Sequence, residues 1–339
     1  MSVTIKKIAK DLHLAVSTVS KALSDSHEIS AETKARVFEY AARLDYIPNP
    51  YASSLKKGKS KNIAVVLPEV ADSFFSVAIN GIESVAQEKG YHTMVYLTHE
   101  DIKREQSIIR ECRNGRVDGV LISVVGGNAQ HEHLRDLYTS EVPLVFFDRV
   151  CEAIETARVV TNDYESGYIA AKHLIEQGCK RIAFLAMRGD LAITHHRQDG
   201  YEQALRDKGL DVRVIYCSDK EEENLALLRD ILQQPDRPDG IIGSIEKVTM
   251  QVYTVCHALH IAIPQEVKII GFSHLQIAAL LNPSLTTVTQ PAFEMGKAAA
   301  TLLFKALEKK QDVKHEQIVI PSVLVPRAST HTTIYADKL

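Results

Sequence analysis

The feature that most narrows the fold is a repetition. G-I-E-S-V-A-Q-E-K-G at 81–90 is echoed by G-Y-E-Q-A-L-R-D-K-G at 200–209, R-V-D-G-V-L-I-S at 116–123 by R-P-D-G-I-I-G-S at 237–244, and E-V-P-L-V-F-F-D at 141–148 by E-V-K-I-I-G-F-S at 266–273. The offsets of 119, 121 and 125 residues are nearly constant across three separate segments. From Asn62 onward, short apolar runs of buried-strand type (63–67, 94–97, 119–123, 144–147, 182–185, 240–244 and 268–272) alternate with helical patterns. Such alternation builds a parallel sheet flanked by helices. The body is therefore expected to be two doubly wound parallel-sheet α/β lobes. Ligands of open parallel sheets bind beyond the carboxyl ends of the strands, and two lobes facing each other there form a clamp that can close about a hinge.

Charge divides the chain differently. The formal total over 339 residues is −3, but residues 1–61 hold 11 Lys/Arg against 6 Asp/Glu, and the remainder 29 against 37. A basic head can exchange counterions with a polyanion while an acidic body is repelled by it. With 45% hydrophobic and 24% charged residues, the chain is neither disordered nor collagenous. No run approaches the roughly 18 apolar residues that span a bilayer, and the start M-S-V-T-I-K-K-I-A-K lacks the core of a signal peptide, so a cytoplasmic location is expected and no membrane partner. Five single cysteines with no C-x-x-C pair read as reduced core thiols, with no disulfide framework or zinc site.

The head carries three helical signals. Thr4 can cap a helix bearing Ile5, Ile8, Ala9 and Leu12; Val16, Val19, Ala22 and Leu23 follow; Ser30 can cap a third, with Val37, Tyr40, Ala41 and Leu44 on one face, until Pro48. On pattern alone this is either a helix-turn-helix unit or a three-helix cap with no nucleic-acid role. The wording is more specific. T-I-K-K-I-A-K-D-L-H-L-A-V-S-T-V-S-K-A-L-S, S-A-E-T-K-A-R-V and L-D-Y-I-P-N-P-Y-A-S-S-L closely resemble the N-terminal module of the LacI/GalR (lactose-repressor) family of bacterial transcription regulators. The two-lobe body resembles that family's periplasmic-binding-protein-like core, so the likeness covers essentially the whole chain.

The resemblance implies an organisation: a helix-turn-helix domain at 1–48, a hinge helix and linker at 49–61, and an effector-binding core at 62–339. Within the core it implies one lobe of about 62–160 and 291–316 and a second of about 161–290 and 317–339, with a closing strand near 317–326. It makes 15–23 the recognition helix. Val16 and Ser17 would face base edges, Lys21 would lie a turn later, and Thr18 and Ser20 would meet phosphates, with Thr4, Ala15, Asn49 and Ala52 as further contacts and Leu55 wedged into the minor groove. Ala15 departs from the family's usual capping Ser. The physical reading of 49–61 is a solvated linker that folds on binding, because two turns are too short to be stable alone. The expected partners are a near-palindromic double-stranded operator, a second copy of the chain and a small sugar-like effector. The tail after Arg327 has no leucine heptads that would make a larger bundle.

Polar and aromatic residues just past strand ends are the candidates for the cleft: Asp72, Phe74, Asp148, Arg149, Arg197, Glu246, Ser273 and His274. The resemblance implies that Phe74 stacks on the effector and that Arg149 and Arg197 hydrogen-bond it; the alternative for Arg149 is a salt bridge between lobes. Ser273 and Ile245-Glu246 stand where sugar-binding members carry Asp and Asn-Asp. With an acceptor lost and two arginines kept, the expectation shifts towards a phosphorylated or acidic sugar derivative, with an intact monosaccharide held through other residues as the alternative. The rival classes are a regulator controlled by a protein co-effector and an α/β enzyme. For the enzyme the chain offers no G-x-S-x-G, no G-x-G-x-x-G after a strand and no H-E-x-x-H. G-K-S at 58–60 lacks the upstream Gly of a phosphate loop, and His131, His133, His195 and His196 read as solvated side chains without acidic partners. No catalytic, metal or cofactor residues are therefore assigned.

Overall fold

The head closes around six small or branched side chains at helical spacing. Ile8 and Ala9 on α1 (Ile5–Asp11), Val19 and Ala22 on α2 (Val16–Leu23), and Val37 and Ala41 on α3 (Ala31–Arg43) are buried together. Thr4 Oγ1 accepts from the Lys7 amide at 3.3 Å, and Ser30 Oγ from the Thr33 amide at 3.3 Å, each satisfying an amide that the helix start leaves free. Ala15 stands at the same place before α2 and makes no side-chain cap. The Tyr40 hydroxyl donates to Asp11 Oδ2 at 2.9 Å and ties α3 to α1.

These contacts come from a computed structural model that describes residues 4–46, 59–71, 73–126, 132–140, 142–187, 191–308 and 313–331. The chain divides into two units after Ser60. The second unit contains two six-stranded sheets. The first comprises β1 (Asn62–Leu67), β2 (His92–Leu97), β3 (Gly119–Ile122), β4 (Leu144–Phe147), β5 (Arg158–Val160) and β11 (Gln317–Val319), in the order β11-β5-β4-β3-β1-β2. The second comprises β6 (Ile182–Met187), β7 (Arg213–Cys217), β8 (Gly240–Gly243), β9 (Lys268–Phe272), β10 (Thr286–Thr289) and β12 (Val323–Val325), in the order β12-β10-β9-β8-β6-β7. All pairs are parallel except β10 with β12. The two orders coincide once the repeat is superimposed, so the 119–125-residue offset is the separation of matching β-α units.

Helices α4 (Ser73–Glu88), α5 (Ile102–Glu111) and α6 (Glu132–Thr139) cover the first sheet, and α7 (Asp163–Glu176), α8 (Ala192–Arg206), α9 (Glu221–Leu232) and α10 (Glu246–Ala258) the second. The last helix, α11 (Ala292–Leu307), returns to the first lobe and packs on α4. The repeated Gly of G-[IY]-E explains how tightly the helix pairs meet. A Cβ on Gly81 would lie 2.1 Å from the Phe293 carbonyl oxygen of α11, and one on Gly200 would lie 1.9 Å from the Tyr164 carbonyl oxygen of α7. Only glycine lets backbones approach this closely. The partner helices repeat as well: E-S-G-Y-I-A-A at 165–171 matches E-M-G-K-A-A-A at 294–300.

Three crossovers join the lobes: Thr161-Asn162, Gln290-Pro291 and Ile320-Pro321-Ser322. Asn162 Oδ1 accepts from the Ser322 amide at 2.8 Å and from Ser166 Oγ at 3.2 Å, binding the first crossover to the third. The third corrects the expected boundary. Segment 317–319 is β11 and pairs in parallel with β5 of the first sheet, and only 323–325 belongs to the second. The single closing strand near 317–326 is two three-residue strands, because the chain must feed one edge of each sheet in turn. The strands β5, β7 and β10 carry no run that the sequence pattern marks; β7 has half-buried and exposed positions among its buried ones, without the continuous apolar run of a central strand.

Gly200→Ala should force α7 and α8 apart at a cost of about 1–3 kcal/mol, the range for overpacking a tight contact. Calorimetry should show a melting temperature several degrees lower, and an unchanged melting curve would contradict the close-approach argument.

Candidate DNA-binding head and interlobe cleft

In the head, Val16 and Ser17 occupy the first turn of α2 and are exposed, Val16 to 43%, a high value for a branched apolar side chain. Thr18, Ser20 and Lys21 are half-buried along the same helix, and Thr4 is exposed at the start of α1. The structure thus groups an apolar methyl pair, three hydroxyls and an ammonium on one short helix, a set able to meet thymine methyls, base acceptors and phosphate oxygens. Asn49, Ala52 and Leu55 lie outside the described residues. Sequence reasoning missed Glu28, whose carboxylate pairs with the Lys21 ammonium.

In the body, α4, α8 and α10 each begin past the carboxyl end of a sheet strand, and with the turns after β4 and β9 they bring the remaining candidates to one place. Phe74, Asp148, Arg149, Arg197, Glu246 and Ser273 line one narrow chamber of about 30 Å³, together with His274 and Gln290. Asp72 lies outside the described residues. Phe74 packs edge-on against Phe75, ring centroids 5.2 Å apart, and is 5% exposed. Asp148 turns the chain just past β4 with φ of 63°, a left-handed conformation that Asp tolerates better than most residues, and accepts from Ser123 Oγ at 3.3 Å. His274 Nδ1 lies 2.9 Å from the Gln290 carbonyl oxygen at the second crossover.

Both arginines already have carboxylate partners. Arg197 is 2% exposed; its Nε donates to Asp163 Oδ1 at 2.7 Å, its Nη1 donates to the Ser244 carbonyl at 2.8 Å, and its guanidinium carbon lies 4.3 Å from the centroid of the Phe272 ring. A buried cation needs such a set, since desolvating it without a partner is costly. Its Nη2 has no acceptor. Arg149 Nη1 donates to both oxygens of Glu100 at 2.8 and 3.0 Å, and its Nε lies 3.9 Å from Asp148 Oδ2 and has no hydrogen-bond acceptor. Glu100 follows β2, so the alternative of a salt bridge between lobes gives way to one within the first lobe.

Glu246 joins the lobes. Its Oε2 accepts from Ser273 Oγ of the second lobe at 2.8 Å and from Ser73 Oγ of the first at 2.7 Å. The carboxylate that position 273 lacks is therefore supplied beside it by Glu246. The histidine reading also needs correction. His133 is not solvated: its Nε2 is 2.7 Å from Oε1 of Glu105, a fully buried carboxylate whose Oε2 accepts from the Val125 amide at 2.7 Å. His131 lies outside the described residues. Among the described residues, no group of three or more His, Cys, Asp or Glu is placed to hold a metal ion, and no helix is long and apolar enough to cross a membrane.

A three-helix head with an exposed second helix, followed by two hinged α/β lobes facing across a cleft, is the architecture of a DNA-binding regulator with a periplasmic-binding-protein-like sensor core. Residues 4–49 match the family of bacterial regulatory proteins of the lacI type, and residues 171–330 match the periplasmic binding protein-like domain. The chain is 27% identical over 335 residues to Catabolite control protein A of Priestia megaterium, covering 97% of this chain and 100% of that one. It is 28% identical over 330 residues to the Ribose operon repressor of Halalkalibacterium halodurans, covering 96% and 97%. Its fold superimposes on the lac repressor dimer bound to operator and the anti-inducer ONPF with a TM-score of 0.83 at 18% identity, over 97% of this chain and 99% of that one. The chain carries a LacI-family helix-turn-helix domain and a periplasmic-binding-protein-like domain, its relatives are LacI-family transcription regulators, and it is a DNA-binding transcription regulator.

The Lys21–Glu28 pair is exposed and therefore weak. Glu28→Gln should release the ammonium and remove a charge that repels phosphate. Binding to random duplex at low salt is then expected to tighten about threefold, with a salt slope steeper by up to about one; fluorescence anisotropy across a salt series measures both, and an unchanged slope would count against Lys21 as a DNA contact.

Proposed function

We propose that the protein is a cytoplasmic dimeric repressor whose affinity for a near-palindromic operator is set by a neutral, polyhydroxylated small molecule, a sugar, held between the lobes. The observation that carries this reading is the charge state of the cleft. Arg149 and Arg197 are each neutralised by a carboxylate of their own lobe, while the Glu246 carboxylate sits among hydroxyl donors. A phosphate or carboxylate ligand would meet guanidinium charges that Glu100 and Asp163 already balance and would lie near Asp148 and Glu246. Sugar hydroxyls meet no such opposition: they can donate to Glu246 and Asp148 and accept from Arg197 Nη2 and Arg149 Nε, the two donors left unused. This revises the expectation of an acidic or phosphorylated derivative, because the lost carboxylate is replaced from position 246. The Ribose operon repressor among the relatives supports the same ligand class.

Control follows from differential affinity. The Ser73–Glu246 bond stabilises one arrangement of the lobes, and a ligand whose hydroxyls take over Glu246 shifts the balance between arrangements. Dimerisation has its own support. Val95 on the edge strand β2 and Tyr216 on the edge strand β7 are 41% and 49% exposed, and Ile277 and Leu280, just past β9, are 53% and 80% exposed. Val95 and Tyr216 lie on matching edge strands of the two sheets, and exposed apolar side chains of this kind, with Ile277 and Leu280, fit burial against a second copy.

Selection from a random duplex pool should return a near-palindromic sequence, and a neutral sugar from a panel should change its binding; response to sugar phosphates or sugar acids alone, or no sequence preference, would overturn the reading. Leu280→Glu should give a monomer in sedimentation and cost about 100-fold or more in operator affinity, through lost bivalency; a persistent dimer would move the interface elsewhere.

A further inference from the structure

Glu100 lies outside the cleft, yet it controls what one wall of the cleft presents. Arg149 borders the narrow chamber and the wider space beyond it, while Glu100 lines neither. Both oxygens of Glu100 fall on the single Nη1 of Arg149. A guanidinium fork is the side chain best shaped for a ligand's phosphate or carboxylate, and here a carboxylate of the chain already holds one arm of it. The three arginines of the cleft differ in how firmly they are paired. Arg197 and Asp163 have side chains only 2% and 6% exposed, so neither can lose the other without stranding a buried charge. The Glu100 side chain is 49% exposed against 14% for Arg149, so water can take up the carboxylate, and the cation left behind would need another anion.

The backbone is bent sharply to place that carboxylate. Between the end of β2 at Leu97 and the start of α5 at Ile102, His99 and Glu100 hold φ of 51° and 57°, two consecutive left-handed residues, neither a glycine. Asp148, which precedes Arg149, has φ of 63°. Three of the eight non-glycine residues with positive φ among the described residues therefore bracket one ion pair. Such conformations persist only where surrounding contacts impose them, and they concentrate at functional sites. The contacts are present: the Thr98 and His99 amides donate to the Leu67 and Pro68 carbonyls, each at 2.9 Å, and Asp101 Oδ1 accepts from the Lys103 amide at 2.8 Å to cap α5. The internal repeat shows that a turn of this kind does not itself require left-handed residues. At an offset of 119 residues Asp101, before α5, matches Lys220, before α9, and Glu100 matches Asp219, yet no residue of 217–220 has positive φ. At the 125-residue offset Arg149 matches His274, whose Nδ1 meets the Gln290 carbonyl. The left-handed turn and the cation it serves are additions of the first lobe.

From this geometry we propose that Glu100 is a built-in counter-anion that sets the charge class of the effector. It fills the anion position on Arg149, so a ligand's phosphate or carboxylate finds that position taken, and removing its charge converts the cleft into one that accepts an oxyanion. Glu100 acts through Arg149 and is a positioning residue for ligand choice. The proposal rests on the neutral-sugar reading above and names the residue that enforces it.

The test is calorimetric titration of the full-length protein with inorganic phosphate, with ribose and glucose, and with ribose 5-phosphate, glucose 6-phosphate and glucuronate, across a salt series. Glu100→Gln keeps the shape and an acceptor for Nη1 while removing the charge; Glu100→Gly also removes it and suits the left-handed turn, which covers a failure of the first variant to fold. Each should bind at least one of the oxyanions about tenfold more tightly than the parent does, with the gain shrinking as salt rises. Glu100→Asp, which keeps the charge, should behave as the parent, and adding Arg149→Gln to Glu100→Gln should abolish the gain. A merely structural role for Glu100 would move neither the salt dependence nor the preference for charge. If both charge-removing variants bind no oxyanion better than the parent, or if the gain survives loss of Arg149, the proposal is overturned, whatever the neutral sugars do. If the parent binds neither free sugar but the gain appears, the neutral-sugar reading loses its support from this panel while the role of Glu100 stands. A parent that already prefers the phosphate esters to the free sugars would overturn both.

Discussion

A guanidinium that is 2% exposed governs the second lobe. Arg197 can be buried only because Asp163 and the Ser244 carbonyl accept from it and Phe272 stacks beneath it. Asp163 is the first residue of α7 and Arg197 lies in α8, so the ion pair requires those two helices at close quarters. Gly167 and Gly200 provide the approach: a Cβ at Gly167 would lie 1.9 Å from the Arg197 carbonyl oxygen itself. Helix packing and cleft chemistry are therefore one constraint. The first lobe repeats the packing with Gly81 and Gly296 without the buried pair, which leaves the arginine as the functional addition to a common scaffold.

Glu246 converts two rigid lobes into a device with a state. Its carboxylate is shared between Ser273 on its own lobe and Ser73 on the other. Hydrogen bonds to a carboxylate are about twice as strong as neutral ones, yet two serine hydroxyls are easily exchanged for those of a ligand. The same atom can therefore report occupancy of the cleft and hold the lobes when it is empty, with three crossovers between the lobes to accommodate the change. The arginines around it are each paired with a carboxylate of their own lobe.

The parts of the molecule that were legible in the sequence are those set by periodicity and repetition. Matching offsets located equivalent strands because each β-α unit must occupy an equivalent place in its sheet. The head was legible through its apolar spacing and through wording shared with a family. Side-chain partners were not legible: Glu100 lies 49 residues from Arg149, Asp163 lies 34 from Arg197, and Glu105 lies 28 from His133. Nothing in spacing says which carboxylate a cation will meet after the chain has crossed between elements. That is why the carboxylate partners of Arg149 and Arg197, and the acceptor that Glu246 places beside Ser273, were not legible. The division of 317–326 into two strands was hidden for a simpler reason, since three-residue edge strands carry too few side chains to show a pattern.

The central claim is that the cleft recognises hydroxyls with its charges already paired. A crystal structure of the protein with a bound effector tests it most directly. The account predicts ligand hydroxyls at Glu246 Oε2 in place of Ser73 Oγ, a ligand oxygen on Arg197 Nη2, and the Arg197–Asp163 and Arg149–Glu100 pairs intact. An anionic group bound to either guanidinium, with Asp163 or Glu100 displaced, would contradict it.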